Sequence, residues 1–194
     1  MKLWPLVRRW WAVLVVLIAL LIWWQAFNYL VDFRDPDVPY VPTPNDVVKA
    51  MFELGEVTDK DMVYDLGSGD GRIIVAAGRD LGARAVGFEI QPELVAQSEI
   101  AIREAGIADR VQVRRGDLFK QDLSGATVIT IFLKPIVNVQ LRPQLDRLRP
   151  GIRIVSHMFS MPGAKPVRRI SVKSVETGMD HNLYLWVTPI EWDY

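Results

Sequence analysis

The heptapeptide Asp65-Leu66-Gly67-Ser68-Gly69-Asp70-Gly71 constrains the fold more than any other stretch of the chain. The apolar run Met62-Val63-Tyr64-Asp65-Leu66 has the length of a buried strand, and Arg72 to Leu81 carries a helical period stopped by Gly82. Alternate glycines between a strand and a helix permit a tight turn whose backbone a ligand can approach closely. In an open α/β fold such a turn lies at the carboxyl edge of the sheet, the usual place for ligands.

The pattern around the turn repeats. Ala85-Val86-Gly87-Phe88-Glu89 reads as a second strand, followed by a helix opened by Pro92 with Leu94, Val95, Ala101, Ile102 and Ala105 on one face and Gly106 at its end. Val111 to Val113 reads as a third strand, Thr127 to Phe132 as a fourth, Val137 to Leu148 as a helix and Ile152 to Ser156 as a fifth strand, with His157 at its end. Ser171 to Thr177 and Leu183 to Thr188 alternate like strands of an antiparallel closure. Before the first strand, Asn45 is the expected N-cap of a helix with Val47, Val48, Met51, Phe52 and Leu54 on its apolar stripe. The expected fold class is α/β, a Rossmann-like, seven-stranded, mainly parallel sheet with helices on both faces, occupying residues 45–194.

Ahead of that domain the chain changes character. Residues 1–9 hold Lys2, Arg8 and Arg9, and residues 10–30 contain no charged side chain and carry tryptophan pairs at Trp10-Trp11 and Trp23-Trp24. As a helix those 21 residues would be about 31 Å long, the thickness of a bilayer core. Bulky side chains stand where a small-residue cleavage site would have to be, so the run reads as an uncleaved single-pass transmembrane helix in a lipid bilayer. Residues 31–44, with Pro36, Pro39, Pro42 and Pro44, read as an extended linker. The basic flank puts the N-terminus in the cytoplasm and the domain outside, whereas a cytosolic cofactor would require the domain inside.

Composition excludes several chemistries. There is no cysteine, and His157 and His181 stand too far apart for a metal site by spacing, so no metal is expected. Beyond the first nine residues the chain holds 20 basic and 23 acidic side chains, a balance unsuited to binding nucleic acid through its phosphates. Arg114-Arg115 and Lys165 to Arg169 read as solvated loop charge.

The turn itself selects a ligand. A dinucleotide fingerprint would need a glycine at Arg72, and no Gly-Lys-Ser/Thr follows for a P-loop. An acid beside the turn, Asp65, suits a ligand bearing an ammonium group. Glu89, at the end of the second strand, can accept both hydroxyls of a ribose. Asp117, after the third strand, can accept from an adenine amino group, with Ile90 and Leu118 flanking the ring. Ammonium, ribose and adenine in that order describe S-adenosyl-L-methionine, contacted by Asp65, Gly67, Ser68, Gly69, Gly71, Glu89, Ile90, Asp117 and Leu118.

These stretches, together with Tyr40-Val41-Pro42-Thr43-Pro44, Gly116-Asp117-Leu118-Phe119 and Ile131-Phe132-Leu133-Lys134-Pro135, make the chain resemble the class I, seven-strand methyltransferases. Within them it is similar to the protein-lysine methyltransferases of the adenine nucleotide translocase and ATP synthase c-subunit type and their archaeal and bacterial relatives. The resemblance implies a protein lysine as methyl acceptor, a membrane anchor on some members, and a role for Tyr40 and Thr43 in covering the methionine end of the cofactor. For such an acceptor, backbone carbonyls of Phe132, Leu133 and Pro135 are expected to orient the amine. The Asp/Asn-Pro-Pro-Tyr/Phe motif of base methylation is absent from the fourth strand end. A membrane-associated quinone or lipid acceptor, and a non-catalytic anchored binding or scaffold protein, stand as alternatives.

Overall fold

The structure, a computed structural model, describes residues 17–23 and 40–192. The chain divides into two units, Met1–Asp37 and Val38–Tyr194. In the first, residues 17–23 are helical, and Leu17, Ile18, Leu20, Leu21, Ile22 and Trp23 are all exposed. No helix among the described residues is long and apolar enough to cross a membrane. The remainder of the expected span at 10–30, the flank at 1–9 and linker residues 31–39 lie outside the described residues.

The second unit is built on one seven-stranded mixed sheet in the order β3-β2-β1-β4-β5-β7-β6. Its strands are β1 (Met62–Leu66), β2 (Arg84–Glu89), β3 (Val111–Arg115), β4 (Val128–Ile131), β5 (Arg153–His157), β6 (Arg168–Lys173) and β7 (Asp180–Val187). The first five are parallel, and β7 is antiparallel to both β5 and β6. Strand order reverses between β1 and β4, which opens a crevice beyond the carboxyl ends of those two strands.

Alternation along the strands sends side chains to two cores. Val63, Ala85, Val111, Val128, Val155, Leu183 and Leu185 pack under the helices α1 (Asn45–Leu54), α2 (Arg72–Asp80) and α3 (Pro92–Glu104). Tyr64, Leu66, Val86, Phe88, Ile129, Ile131, Ile154 and Trp186 pack under α4 (Pro135–Gln140) and α5 (Arg142–Leu145). Helices on both faces bury the parallel strands, which is why β1, β2 and β4 read as nearly continuous apolar runs.

Local chemistry moves several expected boundaries. The N-cap of α1 is Pro44, not Asn45. A proline side chain accepts nothing, and the Glu176 carboxylate instead takes the N–H groups of Asn45 and Asp46 at 3.2 and 3.3 Å. Asp46 reciprocates by accepting from Ser174 Oγ and Val175 N, so residues 174–177 are spent on a turn, and β6 is Arg168–Lys173 rather than 171–177. Arg168 and Arg169 therefore belong to a strand, and the Arg169 guanidinium lies 5.3 Å from the Tyr184 ring. The expected helix at 137–148 starts earlier, at Pro135, and is split near Pro143. That residue lacks the N–H that would bond Val139, and its ring crowds the same carbonyl. The buried face of α3 is Leu94, Ser98 and Ile102, a narrower stripe than expected, with a serine at its centre.

At the edge of the sheet away from the turn, Asp61 is 6% exposed. It accepts from Thr58 N and Thr127 Oγ1 at 2.8 and 2.7 Å and pairs with Arg153, which also donates to the carbonyls of Gly55 and Glu56. Burial alone would raise its pKa, but these donors and the Arg153 charge hold it below the usual carboxylate range. Asp61→Ala strands several donors and a cation, and is expected to cost about 3 kcal/mol. Urea denaturation checks the loss, and cofactor affinity measured on the folded variant is expected to stay within about twofold.

Candidate active site

The glycine turn closes β1 onto α2. Gly67, Gly69 and Gly71 all have positive φ, at 78°, 55° and 81°, a region costly for other residues. A Cβ on Gly71 would stand 2.6 Å from Ser98 Oγ, and one on Gly69 would stand 2.4 Å from the Tyr40 ring. The turn is thus pressed from below by α3 and from above by residue 40. Ser98 Oγ donates to the Gly69 carbonyl at 3.0 Å.

The N–H groups of the turn are spent inside the protein. Those of Gly67 and Ser68 bond the Phe88 carbonyl, that of Gly69 bonds Glu89 Oε2, and that of Gly71 bonds the Ser68 carbonyl. No nest of free donors is left for a pyrophosphate at these four positions. Ser68 itself faces inward: its Oγ lies against Gly87, buried and without a partner.

Asp65 is 2% exposed. Its register partner on β4 is Thr130, which donates to Oδ1 at 2.7 Å, while Oδ2 is buried with no partner. Burial, only partly relieved by Thr130 and aggravated by the charges of Glu89 and Asp70, pushes its pKa up to about 7. A cation beside Oδ2 would supply what is missing, and the ammonium of S-adenosyl-L-methionine meets that need.

Glu89 sits at the end of β2, where Oε1 accepts from Ile90 and Gln91 N–H at 2.8 and 2.9 Å and Oε2 from Gly69 at 2.8 Å. Three of about four lone-pair sites are filled, so the carboxylate both ties the turn to β2 and retains acceptor capacity. Asp117 lies two residues past β3. It caps the short turn Leu118–Lys120 by accepting from Phe119 N at 2.9 Å, with Lys120 Nζ at 3.5 Å. Ile90 is 40% exposed and Leu118 is half-buried. The sheet order β3-β2-β1 therefore brings Asp117, Glu89 and Asp65 to one edge in the expected sequence.

On the other side of the turn, after β4, Leu133 is buried with Cδ2 3.0 Å from where a Gly67 Cβ would be. The Phe132 ring lies 4.1 Å from the His157 ring. Pro135 opens α4, and the Lys134 carbonyl accepts from Val137 and Asn138, so this end of the loop is engaged by the helix. Arg72 ties the turn to the segment before α1: it pairs with Asp70 at 2.7 Å and donates to the Thr43 carbonyl at 2.9 Å. Thr43 is buried, and Tyr40 is 41% exposed.

Three contributors escaped the sequence reading: Thr130, Ser98 and Arg72. Two left a signal, since a hydroxyl inside the strand Val-Ile-Thr-Ile and a serine on the apolar stripe of α3 each need a buried partner. Among the described residues no group of acidic or histidine side chains could hold a metal ion.

A reversing parallel sheet with an acid-flanked glycine turn, and two further carboxylates along the same edge, defines a class I methyltransferase using S-adenosyl-L-methionine. Residues 65–168 match the ANTKMT methyltransferase domain, and the chain belongs to that family. It is 44% identical over 154 residues to a protein-lysine N-methyltransferase of Saccharolobus islandicus, covering 78% of this chain and 94% of that one. It is 38% identical over 132 residues to the adenine nucleotide translocase lysine N-methyltransferase of Mus musculus, covering 67% of this chain and 57% of that one. A crystal structure described as an RNA methyltransferase from Salinibacter ruber, bound to S-adenosyl-L-homocysteine, superposes with a TM-score of 0.71 at 47% identity, covering 77% of this chain and 94% of that one.

Proposed function

We propose that this methyltransferase acts on lysine side chains of proteins and is held at a membrane by residues 10–30. The observation that carries the acceptor reading is the end of β4. Phe132-Leu133-Lys134-Pro135 presents backbone, an aromatic ring and a buried leucine beside the turn, with none of the acidic or amide side chains that grip a nucleobase amine. That relatives covered over 94% and 57% of their lengths are lysine N-methyltransferases supports the same reading.

The chemistry asked of the residues is modest. S-adenosyl-L-methionine supplies an electrophilic methyl on a sulfonium, and the protein must align a neutral amine with it and keep water out. A lysine loses its proton more readily in an apolar setting, because burial disfavours the ammonium. Carbonyls of Phe132 and Leu133 are the candidates to orient the amine; Pro135, the third expected residue, is the first residue of α4, and the Lys134 carbonyl before it is committed to that helix.

The description of the Salinibacter ruber neighbour favours RNA as a second reading, against which stand the acidic excess beyond the basic flank and the missing base-binding motif. Incubating the full chain with radiolabelled cofactor, membranes and total RNA separates the acceptors. Label in protein supports the proposal; label confined to RNA or to the lipid extract overturns it.

For the anchor, deletion of residues 1–31 is expected to move the protein from the membrane pellet to the supernatant while cofactor affinity stays within about twofold. Pelleting of the truncated protein with membranes would refute it. Supply of the cofactor favours a cytoplasmic catalytic domain. A reporter fused after Tyr194 that is active only inside the cell supports that side, and one active only outside refutes it.

A further inference from the structure

A hydrogen-bonded chain, buried at Thr43, His157 and His181 and reaching the surface at Thr177, crosses the carboxyl edge of the sheet beside the turn. Thr43 Oγ1 lies 3.1 Å from His157 Nδ1, His157 Nε2 lies 2.8 Å from His181 Nδ1, and His181 Nε2 lies 3.3 Å from Thr177 Oγ1. His157, at the end of β5, is 1% exposed, and His181, on β7, is 5% exposed. Each member can donate one hydrogen bond along the chain and accept one, so all four are satisfied with both rings neutral. Burial first, and His181 second, lower the His157 pKa to about 4, which keeps the ring neutral in the working range and argues against a role as a proton-holding base.

What the chain does is fasten a strap. Residues 40–44 are tied to the glycine turn at one side, through Tyr40 over Gly69 and Arg72 on the Thr43 carbonyl, and to β5 at the other, through the Thr43 hydroxyl. His157 also meets the acceptor loop through Phe132. Met158, with φ at 62°, turns the chain so that Phe159 stacks 6.1 Å from the same Phe132 ring. One imidazole thus touches the strap, the acceptor loop and, through His181, the antiparallel end of the sheet.

We propose that His157 is a positioning residue that latches the 40–44 strap across the cofactor turn and seats Phe132, with His181 as its anchor on β7. The proposal rests on the reading of the turn as the cofactor site.

Two replacements divide the latch at its two nitrogens. Asparagine places an amide oxygen near the position of Nδ1 and loses the His181 bond; glutamine reaches toward His181 and loses Thr43. Binding of S-adenosyl-L-homocysteine to the full chain is measured by calorimetry, with stability measured in parallel. His157→Gln and Thr43→Val are each expected to weaken binding about tenfold, and their combination also about tenfold, since both remove the same bond. His157→Asn, which keeps the Thr43 bond but loses the His181 anchor and the ring beside Phe132, is expected to lose stability and to weaken binding about threefold, less than His157→Gln. Equal weakening by Asn and Gln, a hundredfold loss in the combination, or unchanged binding in all variants would overturn the latch. Failure of the wild type to bind would overturn the cofactor reading and the latch with it, whereas wild-type binding with insensitive variants sinks the latch alone.

Discussion

Asp65→Asn is expected to weaken S-adenosyl-L-methionine binding at least a hundredfold, while the variant melts no lower than the wild type at pH 8. The two outcomes share a cause. Asp65 is buried with Oδ2 unpartnered, and above its raised pKa of about 7 the empty site carries an uncompensated charge. Asparagine keeps the acceptor for Thr130 and removes that charge, so the fold loses nothing at alkaline pH. The ligand's ammonium loses its counter-charge in a desolvated position, where such a pair counts for several kcal/mol. The same logic gives the wild type a pH dependence: binding needs the ionised carboxylate, so affinity falls about tenfold per unit below pH 7. Asp65→Asn lacks that slope. Calorimetry from pH 5.5 to 8 measures both, and a variant that binds within threefold of the wild type would remove Asp65 from the site.

Stability in acid is expected to divide between Asp65 and His157. The folded state lowers His157 from 6.5 to about 4 and raises Asp65 from 3.8 to about 7. Between those values the unfolded chain holds the extra proton at His157, so this group adds stability that is present above pH 6.5 and lost as pH falls through 4. At Asp65 the folded chain holds the extra proton, so its contribution is present below pH 3.8 and lost as pH rises through 7. The slopes oppose each other, each on the order of 3 kcal/mol across the window. In the wild type they largely cancel. Relative to it, Asp65→Asn should gain stability as pH rises from 4 to 7, and His157→Asn should lose stability from 4 to 6.5. Urea midpoints at half-unit steps test this, and parallel curves for all three proteins would contradict the assignment of both groups.

How much of this is legible in the sequence depends on the kind of interaction. The five parallel strands were readable because four are short apolar runs and β3 an alternating Val-Gln-Val, each followed by a turn or helix signal, and the edge at which Asp65, Glu89 and Asp117 meet follows from that topology. The antiparallel end was readable as two strands but not in its bounds. The Asp46 N–H donates to Glu176 across 130 residues while the Asp46 carboxylate accepts from Val175 N, and local alternation carries no trace of that exchange. The use of each site residue was also out of reach: Ser68 turns inward, and Glu89 spends most of its acceptor capacity on the backbone of the turn. His157 showed only its place at a strand end. Its partners Thr43 and His181 lie 114 and 24 residues away in the chain, and such pairings arise from the fold alone.

The identity of the methylated group is the most direct test of a lysine methyltransferase. Full-length protein, isotopically labelled S-adenosyl-L-methionine and native membranes are incubated, and labelled protein is digested and sequenced by tandem mass spectrometry, with Asp65→Asn as the control. Labelled methyl on the ε-nitrogen of lysine, absent from the control, is the expected result. Label on another side chain, on nucleotides or on lipid, with lysine unlabelled, would contradict it.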